Sequence, residues 1–378
     1  MKNILFIELS LNPTNGGVER VSYILSKAFQ NNGFENYFLF CDKESDLILE
    51  SHKLKFNIYD TEDYLFNQFS MFIESNQIDI IICQNVFSKK FQLIYRKLKA
   101  QYNIKFITCL HSNPDIWVNK NKLGYTSNKV YCKDLARSIV HLFKNPYKEQ
   151  INGMYKISDK FVLLSDAYIP IFKRMYNTNT NDSKLVAVVN PCSFADKEHI
   201  PQKENIVLVV ARMAEQQKRI SNILRIWKTV ESNYVNWKLI MVGDGPDLGM
   251  YKKKSNEMKL KNVDFIGHSN DVATFYKKSK IFLTTSIWEG LPMTLIESQY
   301  YGCVPIAFDN YAALNDVINN GNDGFIVEPN NISVFSNFLS LLMSDEQLCN
   351  EMSENAIANV EAKFDINIIS KCWFNILN

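Results

Sequence analysis

Two carboxylates, Glu289 and Glu297, stand with seven residues between them in the stretch Ser286–Gln299, SIWEGLPMTLIESQ. Pro292 falls between them where a helix would begin, because its fixed φ and missing N–H cost least at the first helical position. Glu289 would then lie in the loop before the helix, and Glu297 more than one turn inside it. Gly290 and Leu291 complete the loop, and Met293 and Thr294 open the helix. Free backbone N–H groups over residues 291–294 would point outward with the positive end of the helix dipole, an arrangement suited to a diphosphate. Acceptor side chains beside such an anion site suit a ligand that carries phosphates and sugar hydroxyls. A capped amphipathic helix with an exposed Glu on each side is an equally good reading of this stretch taken alone.

Cations stand elsewhere at comparable places. The run NIVLVVA ends in Ala211-Arg212-Met213, and Lys218-Arg219 follows. Arg212 can grip phosphate oxygens in a planar fork and Lys218 can act as a movable point charge, so the pair could neutralise a departing diphosphate. Two surface cations are the competing reading, and Arg219 reads as solvent-facing. His111 closes the run IKFITCL and His268 closes VDFIG, each where a strand would end. A hydrogen bond from His111 to a bound sugar competes there with a purely structural role. Gly16-Gly17, after the first apolar run, would let the backbone approach a ligand closely, although a plain turn is as good a reading. Gly243-Asp244-Gly245-Pro246 reads first as turn chemistry. No G-x-G-x-x-G, no D-x-D and no His/Cys set at zinc spacing occurs, so no metal and no bound cofactor are expected.

These residues need a frame, and the apolar pattern supplies one. Short runs rich in β-branched residues alternate with longer helical patterns, as in parallel sheets with crossover helices. One set comprises residues 3–9, 36–41, 78–84, 104–110, 160–165 and 184–189. The other comprises 205–211, 237–243, 263–267, 280–285, 304–308 and 324–328. The polar stretch SFADKEHIPQKEN separates them. The reading is an α/β chain of two doubly wound parallel-sheet domains, with ligands held at the carboxyl ends of the strands between them. Helical character runs from Asp345 to about Phe364, and a shorter helix spans 365–378.

The chain of 378 residues can bury two ordinary cores. A formal charge of +2 argues against nucleic acid as the main partner, and eight scattered cysteines without a C-x-x-C pair argue for buried reduced thiols. No signal-peptide core and no membrane-length apolar run occurs, so a soluble cytoplasmic protein is expected. Residues 118–156 carry eight Lys/Arg against two Asp/Glu, interleaved with tyrosines. This segment could touch the anionic inner membrane surface, although a solvated helical face is the commoner outcome.

Together GGVER (16–20), Arg212 and Lys218 with five residues between them, VGDGP (242–246), VDFIGHSNDV (263–272) and EGLPMTLIE (289–297) resemble a retaining glycosyltransferase of family 4. That resemblance spans almost the whole chain and is strongest in its second half. It implies the GT-B fold: residues 1–199 as an acceptor-side Rossmann-like domain, 200–364 as a nucleotide-sugar donor domain, and 365–378 as a helix returning to the first. It further implies that Glu289 contacts donor-sugar hydroxyls, Glu297 the ribose, and Arg212 with Lys218 the diphosphate. Gly16 and Gly17 would approach the phosphates and acceptor, His111 the donor sugar near its reacting carbon, and Gly267 to Asn270 the base. The implied donor is a UDP-sugar or GDP-sugar, and the implied acceptor a glycan or a lipid-linked glycan. The spacing from Arg212 to Lys218 is one residue longer than the family's commonest form. A nucleotide-sugar epimerase of the same fold and a non-catalytic nucleotide-binding scaffold are the alternatives.

Overall fold

A computed structural model describes residues 2–13, 16–45, 52–116, 146–178, 183–194 and 202–378. Most of the basic segment 118–156 therefore lies outside the described residues. The chain divides into two compact units, Met1–Val189 with Ser370–Asn378, and Asn190–Ile369. That division falls at Val189/Asn190, before the polar stretch in which the sequence reading placed it.

The first unit holds a seven-stranded, wholly parallel sheet in the order β3-β2-β1-β4-β5-β6-β7. Its strands are β1 Asn3–Ile7, β2 Glu35–Phe40, β3 Lys53–Lys55, β4 Ile80–Cys83, β5 Lys105–Leu110, β6 Lys160–Leu163 and β7 Leu185–Ala187. The sequence reading anticipated six of them. It missed β3, whose three residues Lys-Leu-Lys carry one apolar side chain and so no readable period. Strands such as β4, Ile-Ile-Ile-Cys, are buried throughout, as a parallel sheet covered on both faces requires. The helix Gly17–Asn31 covers β1, with Phe29 stacked on Phe6 at 6.1 Å between ring centroids.

The last turns of the chain belong to this unit. In the helix Ile366–Leu377, Trp373 and Phe374 stand 5.9 and 6.1 Å from the Phe29 ring, and Lys2 Nζ donates to the carbonyl of Leu377 at 3.0 Å. Trp373 and Leu377 are 4% and 0% exposed, so this end of the chain is core.

The second unit holds a six-stranded parallel sheet in the order β10-β9-β8-β11-β12-β13. These strands are β8 Glu204–Val210, β9 Lys238–Val242, β10 Val263–Gly267, β11 Ser279–Thr284, β12 Val304–Phe308 and β13 Phe325–Val327. The helix Ile220–Val230 presses Ile223, Leu224 and Trp227 into the core against β8 and β11. Two helices of this unit begin at side-chain caps: Asn331 accepts from the N–H of Val334, and Asp345 from that of Leu348.

In both sheets the first strand of the unit has a neighbour on each side, and the winding direction reverses beside it. The reversal lies between β1 and β4 in one unit and between β8 and β11 in the other. Loops leaving the carboxyl ends of those strands run in opposite directions and leave a crevice, the usual ligand position in such sheets.

Among the described residues all seven cysteines are free thiols, and Cys83, Cys109, Cys192, Cys303 and Cys349 are buried. Burial pushes the Cys83 thiol up to about 12, which keeps it protonated and unreactive. Cys41 is half-buried and Cys372 exposed, so the expectation of buried thiols does not extend to these two. Among the described residues no helix is long and apolar enough to cross a membrane.

Glu8, just past β1, is 2% exposed. Burial raises its carboxyl well above the ordinary 4.5, the Ser22 hydroxyl opposes that shift, and the charge of Glu19 adds to it. The folded state thus holds a proton that the unfolded state releases above 4.5, so stability falls as pH rises from there toward the folded value. Glu8→Gln is expected to melt above the wild type at about pH 8 and to lose that advantage by about pH 4. Melting curves across this range check it, and a constant difference at every pH would refute it.

Candidate active site

The strand end that carries Arg212 is shaped by the glycines of the VGDGP turn. Gly243 has φ +132, and a Cβ there would stand 2.0 Å from the carbonyl oxygen of Ala211. At Gly245 it would stand 2.6 Å from the carbonyl oxygen of Met213. The absent side chains let two loops lock together, with Met213 N–H donating to Asp244 O at 2.9 Å and Asp247 N–H to Met213 O at 3.0 Å. Turn chemistry is thus what this motif supplies, and its effect is to fix the exit of β8. The Arg212 side chain is exposed and makes no ion pair among the described residues.

Lys218 ends the short helix Glu215–Lys218, and Arg219 follows in the left-handed region at φ +48 before the helix Ile220–Val230 begins. That conformation costs a non-glycine residue roughly 1 kcal/mol and needs outside support. Thr285 provides it. Its buried hydroxyl lies 2.9 Å from the carbonyl oxygens of both Lys218 and Arg219. Ile287 N–H donates to Gln217 O at 2.8 Å, and Gln217 Nε2 donates to Trp288 O at 3.1 Å and to Glu289 Oε2 at 3.4 Å. Loops from β8 and β11, neighbours across the reversal point, are therefore stitched into one structure.

The stitching brings Lys218 and Glu289 into an ion pair, with side chains only 18% and 13% exposed. One small cavity is lined by Ala211, Lys218, Ser286 and Thr294. Pro292 is the N-cap at φ −77 and ψ +87, so the helix runs Met293–Tyr300 and starts one residue later than the sequence reading had it. Lacking an N–H, Pro292 contributes nothing to the row of donors, which is left to Leu291, Met293 and Thr294. Leu291 is 7% exposed and packs the loop, while Gly290, Met293 and Thr294 are half-buried. Glu297 lies on the inner side of the helix, 5% exposed, where Tyr276 donates its hydroxyl proton to Oε2 at 3.1 Å. Gly267 has φ +79 with open space around it, and His268 is exposed with Nε2 3.1 Å from Asn270 Oδ1.

The first unit holds the other assigned residues. Gly16 is the extended N-cap of the helix Gly17–Asn31 and accepts from Arg20 N–H at 3.3 Å. His111 follows β5, its Nε2 2.6 Å from Gln84 Oε1 and its Nδ1 buried without a partner. Sequence reasoning missed Gln84, Gln217 and Thr285. Each acts through a contact distant in sequence; Gln84 and Thr285 could have been marked only by their positions just past β4 and β11, and Gln217, inside the short helix Glu215–Lys218, had no such signal.

The hydroxyl of Thr285 is the contact this geometry makes testable. Thr285→Val keeps the shape and removes the donor, and is expected to cost about 1–2 kcal/mol of stability. Thr285→Ser should restore most of it. Urea titration of the three proteins reads the difference, and a Val variant as stable as the wild type would show that the left-handed turn stands without help.

Residues 193–359, which hold Arg212, Lys218, Glu289 and Glu297, match the family glycosyl transferases group 1. The chain is 26% identical over 388 residues to a PP-undecaprenol-linked glycan alpha-1,4-N-acetyl-D-galactosaminyltransferase of Campylobacter jejuni, covering 100% of this chain and 98% of that one. It is 24% identical over 367 residues to the amylovoran biosynthesis glycosyltransferase AmsD of Erwinia amylovora, covering 96% of each. Its fold is similar to that of Anabaena HepE solved with UDP and glucose, with TM-score 0.74 and 15% identity over 100% of this chain and 99% of that one. The matched segment is centred on the second sheet, and the two parallel-sheet units have the GT-B fold of that solved structure.

Proposed function

We propose that this protein is a GT4-type glycosyltransferase, which moves a sugar from a nucleotide-diphosphate donor to an acceptor hydroxyl with retention of the anomeric configuration. The setting we propose is bacterial surface-polysaccharide or lipid-linked glycan assembly, the context named for the Erwinia and Campylobacter relatives. The carrying observation is the Lys218–Glu289 pair beside the helix that starts at Met293, at the point where the second sheet reverses its winding.

In this reading the departing diphosphate takes Lys218 from Glu289. Arg212, exposed and without an ion pair among the described residues, supplies the planar fork for phosphate oxygens. The N–H groups of the helix start add fixed dipoles that need no reorganisation as charge grows on the leaving group. Released from Lys218, Glu289 can accept hydrogen bonds from donor-sugar hydroxyls. Glu297, held by the Tyr276 hydroxyl, is assigned to the ribose, and His111 to the sugar near its reacting carbon. The transition state would be oxocarbenium-like, and a front-face displacement within one ion pair is the step we favour.

Thermal shifts with a panel of UDP- and GDP-sugars test donor binding, because a ligand stabilises in proportion to its affinity. One donor should raise the melting temperature, and no shift with any nucleotide sugar would overturn the reading. With that donor and its acceptor, Arg212→Ala and Lys218→Ala are each expected to lower kcat by about 10²–10³ while far-ultraviolet circular dichroism stays unchanged. Unaltered turnover in a folded variant would remove that residue from the site.

A further inference from the structure

Three adjacent strand ends of the first unit place polar side chains in a row. The register pairs Ile4 with Ile80 and Ile80 with Lys105. Strand alternation then carries Glu8, Gln84 and His111 onto one face, at the carboxyl ends of β1, β4 and β5. The ladder continues past β4, since Gln84 N–H donates to Ile7 O at 3.0 Å. This is the reversal point of that sheet, counterpart to the one that holds Lys218 and Glu289.

Within the row, Gln84 is 1% exposed and its Oε1 lies 2.6 Å from His111 Nε2. One polar atom on each of these three residues is buried without a partner: Glu8 Oε2, Gln84 Nε2 and His111 Nδ1. Ser112, the next residue, is tied by its hydroxyl to the Tyr147 hydroxyl at 2.6 Å, which steadies the backbone that carries the ring. Burial lowers the imidazole to about 4, so it is neutral near pH 7. A neutral imidazole has one N–H, and an amide oxygen can only accept. The proton therefore belongs on Nε2, and Nδ1 carries a lone pair.

We propose that Gln84 is a positioning residue, whose amide oxygen fixes the orientation of His111 and holds its single proton on Nε2. The imidazole then presents Nδ1 only as an acceptor. A hydroxyl brought to that nitrogen must donate to it, and His111 has no proton at that position to give to a leaving group. The consequence for turnover rests on the proposed contact between His111 and the donor sugar, whereas the position of the proton does not.

Long-range ¹H–¹⁵N correlation of the imidazole nitrogens in the full chain near pH 7 reads the tautomer directly. The wild type should show a protonated Nε2 and an unprotonated Nδ1 for His111. Gln84→Leu should give a mixture of tautomers and, with donor and acceptor supplied, lower kcat about tenfold with the KM for the donor little changed. That is the low end of what loss of a histidine's orienting partner costs at metal sites. Gln84→Glu keeps an acceptor at the same place and should restore both the Nε2–H pattern and most of the turnover. A wild-type ring protonated on Nδ1, or a folded Gln84→Leu with unaltered tautomer, would overturn the proposal. The wild-type spectrum decides the matter even if the Leu variant does not fold. It also needs no substrate, so a failure of the transferase reading remains separate from a failure of this one.

Discussion

In a parallel sheet every strand leaves at the same edge, and this constraint organises both halves of the molecule. Crossover helices must return the chain to the opposite edge, so the loops at the carboxyl edge are free to carry chemistry. Where the winding reverses, two such loops diverge and leave room between them. In the second unit that place is beside β8 and β11, and the loops leaving these strands carry Arg212, Lys218 and Glu289. In the first unit it lies beside β1 and β4, which deliver Glu8 and Gln84. Residues far apart in the chain meet because the topology leaves them at the same corner.

The second corner is built at some cost in local conformation. Arg219 occupies the left-handed region, Gly243 has a φ that L side chains rarely adopt, and a partly buried lysine faces a partly buried glutamate. Each departure has a specific compensation. The Thr285 hydroxyl meets the carbonyls around Arg219, the missing Cβ of Gly243 admits the Ala211 carbonyl, and Lys218 and Glu289 neutralise one another. Desolvated charges are costly unless paired, so the two ionic side chains depend on each other when no ligand is bound. The positive charge of Lys218 is thus already placed and already balanced.

Much of this architecture was legible in the sequence, because buried parallel strands announce themselves as short β-branched runs. Strand β3 escaped because Lys-Leu-Lys, at the edge of its sheet, has too little apolar pattern to read. Lys218 and Glu289 could each be singled out, but their contact could not. It depends on the Gln217–Ile287 and Thr285–Lys218 hydrogen bonds, which join segments about 70 residues apart. Glu297 could be placed inside a helix, while its enclosure beside Tyr276 depends on how a different helix packs. His111 drew notice as a strand-ending histidine. Gln84 did not, since an amide carries no charge and follows no motif, and only the register of β4 against β5 brings it to the ring.

The aromatic contacts between the last helix and Phe29 have a consequence for how the protein is made. The second unit is one uninterrupted stretch of chain, so its fold draws on no segment outside that stretch. The first unit, although begun earlier, draws Trp373 and Leu377 into its core. Its apolar interior cannot be closed until residues 370–378, which follow the whole of the second unit, have been made. The half of the polypeptide that is born first thus waits for residues made after the other half.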